Sequence, residues 1–296
     1  MGILSGTGIL DGNGILTGRG ILFQSGILVP PSLDPDAAAY IAAVTAAGAT
    51  VTGAQRTAID TFYLAAKAGG YYTSLKRLYL PIWGVAAANA IDMIGLTSGT
   101  FNGGVTHGAG FVQGNGTTGN FSLGVAPSGL GITTASGSLF ALVKQESALV
   151  GDRSFIGAMN SVATGIGQVQ IYENVTVCLA AVTRSVGGGL VNGGVTISNP
   201  VGVLVVNRNS ATVIKIHKRT TSGFVSLTGS TFSTADVTTS LITAMAVGTL
   251  GATNHFSDAQ LGVYGAGIKL TDDTTVSNFT LALKTLWETA TGLTLP

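Results

Sequence analysis

Charge is scarce in this chain. Asp, Glu, Lys and Arg make up 9% of its 296 residues, against about a quarter in an average soluble protein. With 14 Lys+Arg against 13 Asp+Glu the net charge is +1. There is therefore no basic stripe of the kind that neutralises phosphates, and no nucleic-acid partner is expected. Intrinsic disorder is excluded as well, because it combines low hydrophobicity with high net charge. This chain is 46% hydrophobic, with a mean hydropathy of +0.49. Prolines number only 7 and glycine does not fall at every third position, so a collagen helix is out. The single cysteine, Cys178, sits in the apolar run Val177-Cys178-Leu179-Ala180-Ala181. It reads as a buried thiol, and no disulfide framework within one chain is possible.

Long hydrophobic runs are missing too. Met93 to Val143 carries no charged residue, yet Gly, Thr, Ser and Asn interrupt it throughout. It never reaches the run of about 18 apolar residues that a membrane helix needs, so no membrane insertion is expected. The first residues, Met1-Gly2-Ile3-Leu4, lack the basic segment and apolar core of a signal peptide. Gly6 stands where a myristoylation pattern requires Ser or Thr.

Glycine, by contrast, is abundant, at 44 residues. Part of it belongs to a repeat: Gly-Ile-Leu occurs at 2–4, 8–10, 14–16, 20–22 and 26–28, with an unbroken spacing of six. Six is a multiple of the strand period of two, so equivalent side chains stay on one face of an extended ribbon. Ile3, Ile9, Ile15, Ile21 and Ile27 mark one face, and Leu4, Leu10, Leu16, Leu22 and Leu28 the other. These ten residues are the expected assembly positions. Five units make less than two turns of a single-chain β-helix, and a lone ribbon buries neither stripe. A β-stalk of three copies wound round a common axis solves this; a strand arm laid along a neighbouring subunit and a flexible Gly-rich linker are the alternatives.

After Pro30-Pro31 the composition shifts to alanine. Asp34 followed by Pro35 is a helix N-cap with proline at the first position, with Tyr40, Ile41 and Val44 on one face and Gly48 as the stop. A second helix begins near Thr52; Ala58, Ile59, Phe62, Tyr63 and Ala66 keep helical spacing, and Gly69-Gly70 ends it. A third, short helix is expected from Thr73 through Leu75, Leu78 and Tyr79, with Lys67, Lys76 and Arg77 on a solvated face. From about Gly99 onward, short apolar or alternating runs are cut by turn residues. Ser138–Lys144, Val201–Val206, Thr212–His217 and Leu261–Ile268 are among a dozen expected strands, with hairpin turns at Asn102-Gly103, Asn115-Gly116 and Asn192-Gly193. The chain closes on an amphipathic helix capped by Thr271 or Asp272, with Val276, Phe279, Leu283, Leu286 and Trp287 as its stripe and Gly292 as its end. The fold expected is mainly β, a two-sheet sandwich with a C-terminal helix. The expected organisation is residues 1–31 as stalk or arm, 32–95 as a helical neck and 96–296 as the sandwich.

Three blocks resemble a known family. They are Asp34–Tyr79 (DPDAAAYIAAV…GAQRTAIDTFYLAAKAGGYYTSLKRLY), Ser98–Gly124 (SGTFNGGVTHGAGFVQGNGTTGNFSLG) and Gly262–Gly292 (GVYGAGIKLTDDTTVSNFTLALKTLWETATG). In this order they resemble tailed-bacteriophage virion structural and tail-fibre proteins. The resemblance implies a concanavalin-like (laminin-G-like) jelly roll on the exterior of a virion, with glycan attachment a frequent role. Expected partners are other copies of the chain in a homotrimer, other virion proteins and a host cell-surface glycan. A capsid decoration or cement protein, using the ribbon as an assembly arm, is the alternative.

The blocks carry structural rather than catalytic motifs. Retaining glycosidases need two carboxylates about 5–5.5 Å apart, and no expected strand carries an alternating acidic pair. Asp272-Asp273 reads as helix capping. Glu146 and Asp152 fall in a loop where a cation site is the minor reading. His107, His217 and His255 lack metal-ligand spacing, and His217 is expected on the solvent side of its strand. No Gly-x-Ser-x-Gly elbow, Walker loop or dinucleotide fingerprint is present. The expectation is a protein that is not an enzyme and uses no metal or cofactor. His255-Phe256 and Tyr71-Tyr72 are the exposed-loop aromatics a glycan could stack on, without a site being assigned to them.

Overall fold

A computed structural model describes residues 21–22, 28–29, 32–149, 152–159, 169–174, 177–182, 196–230, 238–249 and 252–295. Most of the expected stalk, including Ile3, Leu4, Ile9, Leu10, Ile15, Leu16 and Ile27, lies outside them, as does the Asn192-Gly193 turn. Of the repeat, Ile21–Leu22 and Leu28–Val29 are described. They pair antiparallel, with Ile21 opposite Val29 and Leu22 opposite Leu28.

The architecture is mainly β, two sheets with a C-terminal helix, and it fits a β-sandwich. In the first sheet the strands run in the order Gly223–Ser230, Val213–Thr220, Gly202–Arg208, Gly137–Gln145, Gln260–Gly267, Phe111–Gly114 and Val105–Gly108, and Leu75–Tyr79 also pairs with Gln260–Gly267. The second runs Thr196–Ser198, Val177–Val182, Val169–Asn174, Asp152–Ala158, Thr243–Ala244, Asn120–Ser122 and Thr100–Asn102, with Val247–Thr249 and Ala252–Asn254 beside it.

The central Gly137–Gln145 strand explains the layering. Its apolar run is continuous, so both faces need cover. Leu139, Ala141 and Val143 enter the core between the sheets, while Phe140 and Leu142 enter a second core under the helices. Gly202–Arg208 alternates in the same way: Leu204 and Val206 face the second sheet, Val203 and Val205 the helices. The molecule is thus a helical layer, a first sheet and a second sheet.

Helices α1 (Pro35–Ala46), α2 (Gly53–Ala68), the short α3 (Ala86–Asn89) and α4 (Asp273–Thr291) make up the helical layer. Asp34 caps α1 by accepting from Asp36 N, with Pro35 at the first position. Thr52 and Gln55 form a reciprocal capping box on α2. Asp272 caps α4 by accepting from Thr275 N, and Gly292 ends it at φ +70°, in the left-handed region where glycine is not strained. Tyr40, Ile59 and Phe62 of the first two helices share a core with Phe140 of the sheet and Phe279 of α4. The expected boundary between residues 95 and 96 runs through this shared core.

Two local expectations are corrected. Leu75–Tyr79 is a strand, not a helix, entered through a single 3-10 turn at Tyr72–Ser74. Pairing with Gln260–Gly267 outweighs the helical spacing of Leu75, Leu78 and Tyr79. Glycine makes the pairing close: a Cβ at Gly265 or Gly267 would overlap the carbonyl oxygens of Arg77 and Ser74. Asn102-Gly103 and Asn115-Gly116 are not hairpin turns. Each joins a strand of one sheet to a strand of the other, so the chain turns a corner of the sandwich there.

Candidate functional site

The helical layer is fastened by its few charges. Lys67, in the last turn of α2, places Nζ 2.7 Å from Asp34 Oδ1 and 2.7 Å from Asp36 Oδ2. Its hydrogen bonds to Asp34 and then Asp36 push the Lys67 pKa up, and Lys67 in turn lowers that of Asp36. Lys67 was expected on a plain solvated face; it ties α1 to α2 instead. On the other side, Lys215 Nζ lies 2.8 Å from Asp273 Oδ1 and Arg219 donates to Ser277 O, Ser277 Oγ and Thr280 Oγ1, so α4 is held to the edge of the first sheet. Trp287 Nε1 donates to Gly110 O at 2.7 Å.

Between α2 and α4 the layer leaves an apolar groove of about 380 Å³. Its floor is Ala58, Phe62 and Leu286, and its walls carry small side chains (Thr57, Thr61 and Ala65) opposite Leu281. Leu281 is 49% exposed. No charged residue lines the groove. Helical spacing explains this: α2 turns Ile59, Tyr63 and Ala66 inward, which leaves the 57-61-65 row of small residues facing α4 and water.

A second cavity of about 390 Å³ lies at the open edge of the first sheet, lined by Ile197, Lys218, Thr220, Phe224, Val225 and Leu227 among others. Val225 is 52% exposed there. This is an apolar floor with one ammonium and hydroxyls at its rim, a surface able to bind a polar ligand's apolar face. Neither cavity has a carboxylate or imidazole among its described lining residues. Among the described residues, no group of three His, Cys, Asp or Glu side chains comes together as metal ligands.

The residues singled out from sequence fall in different places. His217 is buried, at 0% exposure, which corrects the solvent-side expectation. It points into the helical layer beside Lys215 and Arg219, stacked on Phe224 with ring centroids 5.7 Å apart at 15°. Neither ring nitrogen has a hydrogen-bond partner, and burial pulls its pKa down to about 4. His107 meets Asn89 Nδ2 through Nδ1 at 3.0 Å and stands edge-on to Phe101. His255 has φ +51°; like Phe256 it is half-buried. Tyr71 is buried against Phe279, and half-buried Tyr72 donates its hydroxyl to Asp36 Oδ2 at 2.9 Å. The Tyr71-Tyr72 pair is thus packing, not an exposed platform. Glu146 is exposed in its loop, while Asp152 begins the following strand. Asp272 caps α4 and Asp273 pairs with Lys215, so neither is free for chemistry.

Sequence reasoning missed Asp92. It is fully buried and accepts from the backbone nitrogens of Leu78 (2.8 Å), Ile94 (3.0 Å) and Gly95 (2.8 Å), with Arg77 Nη1 at 3.5 Å. Burial pushes its pKa up against these bonds. Its position just before the long charge-free stretch was the available signal. The groove between α2 and α4 was missed too, although the row of small residues within an amphipathic helix is visible in the sequence.

No protein-family model matches the chain, and no curated protein matches it. Among solved structures it is similar to a mutant Trypanosoma rangeli sialidase displaying trans-sialidase activity, at 11% identity and TM-score 0.45, over 77% of this chain and 39% of that one. A leech intramolecular trans-sialidase matches at 12% identity and TM-score 0.34, over 54% of this chain and 24% of that one. The NanB sialidase of Streptococcus pneumoniae, as its K499G mutant, matches at 12% identity and TM-score 0.33, over 60% and 27%. The chain spans well under half the length of each. These neighbours are named as enzymes, and the expectation that the chain is not an enzyme is withdrawn on that finding. At this depth the likeness assigns neither an activity nor a substrate to the chain.

Proposed function

We propose that the chain is a structural protein of a bacteriophage virion, a trimeric fibre or spike component on the exterior of the particle. In this reading the sandwich is a concanavalin-like jelly-roll head that contacts a host-surface glycan, and the repeat is the shaft. The observation that carries it is the Gly-Ile-Leu repeat, five times at a spacing of six. Such a ribbon buries its two stripes only against other copies or another surface. The low charge and the wealth of Gly, Thr and Ser suit an assembled particle, and the cavity at the sheet edge is a surface on which a sugar ring can rest.

Light scattering tests the shaft. The full-length chain is expected at three times the mass of one copy, and a chain lacking residues 1–31 at the mass of one. A truncated chain that keeps the full-length oligomer overturns the shaft. A glycan array probed with residues 32–296 tests the head, and a blank array overturns glycan attachment. One observation favours the second reading, a capsid decoration protein with the ribbon as an assembly arm: Ile21–Leu22 and Leu28–Val29 pair as antiparallel strands, so this part of the chain forms sheet by strand pairing. In that reading the arm adds strands to neighbouring virion proteins. Mixing the full-length chain with its capsid or with its tail then separates the two by which one it decorates.

A further inference from the structure

Asn102-Gly103 and Asn115-Gly116 both stand at corners of the sandwich, yet the fold treats their side chains in opposite ways. We propose that Asn102 is a site of self-modification, converted with water to aspartate and isoaspartate, while Asn115 is protected. In this reaction the backbone nitrogen of Gly103 bonds to Asn102 Cγ. The Cγ–Nδ2 bond breaks, and ammonia leaves with the proton that the Gly103 nitrogen gives up. One water then opens the cyclic imide at either of its carbonyls. The inference goes beyond the fibre reading and rests on the two corners alone.

Access comes first. Ring closure needs the Asn side chain to swing over the peptide that follows it, and that peptide nitrogen must be open to attack. Thr100–Asn102 is a three-residue strand at the end of the second sheet, and Asn102 is exposed on it. A short edge strand with few buried contacts opens locally at low cost. Glycine is fixed at the next position, with φ +65° and no room for a Cβ, which would overlap Thr118 O. The corner thus demands the one residue whose nitrogen no side chain shields.

Restraint separates the two sites. Among the described hydrogen bonds, Asn102 is held through Nδ2 alone, to Asn120 Oδ1 at 3.2 Å and Thr100 O at 3.4 Å. Both are long for such bonds. Asn115 is gripped at both ends of its amide. Its Oδ1 accepts from the backbone nitrogens of Thr117 (3.1 Å), Thr118 (2.8 Å) and Gly119 (2.8 Å), and its Nδ2 donates to Thr118 Oγ1 at 2.9 Å. Its Nδ2 also fills the space beside Gly104, where a Cβ would come within 2.8 Å of it. Turning this side chain toward Gly116 breaks four bonds; turning Asn102 toward Gly103 breaks two weak ones.

The product would not fit the corner as Asn102 does. A carboxylate donates nothing, so Asn120 Oδ1, on a residue 5% exposed, would face another oxygen in place of its donor. Isoaspartate would also lengthen the main chain by one methylene where the chain passes from the second sheet to the first. Conversion therefore unlatches Thr100–Asn102 from Asn120–Ser122, its partner strand.

Heavy-oxygen labelling of the full-length chain tests this. The chain is held at pH 8 in heavy-oxygen water and digested with pepsin in acid, which stops imide formation, and each Asn-Gly site is read by fragment mass. Asn102 should become a labelled acid about tenfold faster than Asn115 in the folded chain, and the two rates should converge in urea, where local opening no longer differs. Asn102→Gln, whose longer side chain must close a larger ring, should stay unlabelled at that position. Equal rates in the folded chain, a faster Asn115, or a difference that persists in urea each overturn the inference. As a second readout, Asn102→Asp should speed amide hydrogen exchange across Asn120–Ser122 several-fold. Unchanged exchange there overturns the unlatching.

Discussion

His217 shows how a single residue ties stability to pH. Its imidazole is enclosed by Phe224, Lys215 and Arg219 on the sheet and by Asp273 at the start of α4, with Ser226 also bonded to Asp273. Burial lowers its folded pKa to about 4, from 6.5 in the open chain. Between those values the unfolded chain takes up a proton that the folded chain refuses, so stability falls as pH falls through the window and is recovered above it. His217→Phe keeps an aromatic ring against Phe224 and removes the proton. Urea unfolding should give midpoints that diverge as pH drops from 7 to 4.5, the wild type losing more. A midpoint difference independent of pH would sink the idea. Asp92 acts as a buried acceptor. Asp92→Ala takes the acceptor from three backbone N–H groups, of which that of Leu78 is buried away from water, and an unsatisfied buried group of this kind costs about 1–3 kcal/mol. A denaturant midpoint equal to wild type would show that water or a neighbour replaces the carboxylate.

At the scale of elements, the helix ends test the local chemistry. Asp272→Ala removes the side chain that accepts from Thr275 N, and loss of such a cap destabilises the start of the helix. The loss should appear as a lower thermal midpoint, undiminished in high salt, because the bond is local; a salt-dependent loss would assign the effect to charge instead. These caps were legible in the sequence because they are set by neighbours a few residues away: Asp34-Pro35, Thr52, Asp272 and Gly292. The strands Gly137–Gln145, Gly202–Arg208, Val213–Thr220 and Gln260–Gly267 were legible for a similar reason, as apolar or alternating runs between turn residues. Leu75–Tyr79 was not, since its partner lies some 190 residues on and the backbone approach at Gly265 and Gly267 decides its state. The corner turns misled for the same cause: Asn-Gly specifies a reversal but not which sheet receives the next strand. Likewise, His217 looked solvent-facing because the alternation of Val213–Lys218 says which residues share a face. It does not say that α4 covers the polar one.

For the whole molecule, the first sheet is the shared wall of two cores. Phe140 and Leu142 face the helices, and Leu139, Ala141 and Val143, on the same strand, face the second sheet. Trp83 and Trp287 both belong to the helical side: Trp83 packs on Tyr40, and Trp287 is buried in that core. They therefore report on the layer that Leu139 does not touch. Leu139→Ala opens a cavity between the sheets, where a buried leucine truncation costs about 2–5 kcal/mol. If the wall makes the two cores one cooperative unit, tryptophan fluorescence and far-ultraviolet circular dichroism should lose their signals at one denaturant concentration. Leu139→Ala should move both midpoints down together. If the helical layer is a separate unit, the fluorescence midpoint will stay at its wild-type value while the dichroism midpoint falls. The first outcome is expected because the wall cannot loosen on one face alone: each residue that turns toward the second sheet is followed on the same backbone by one that holds a helix.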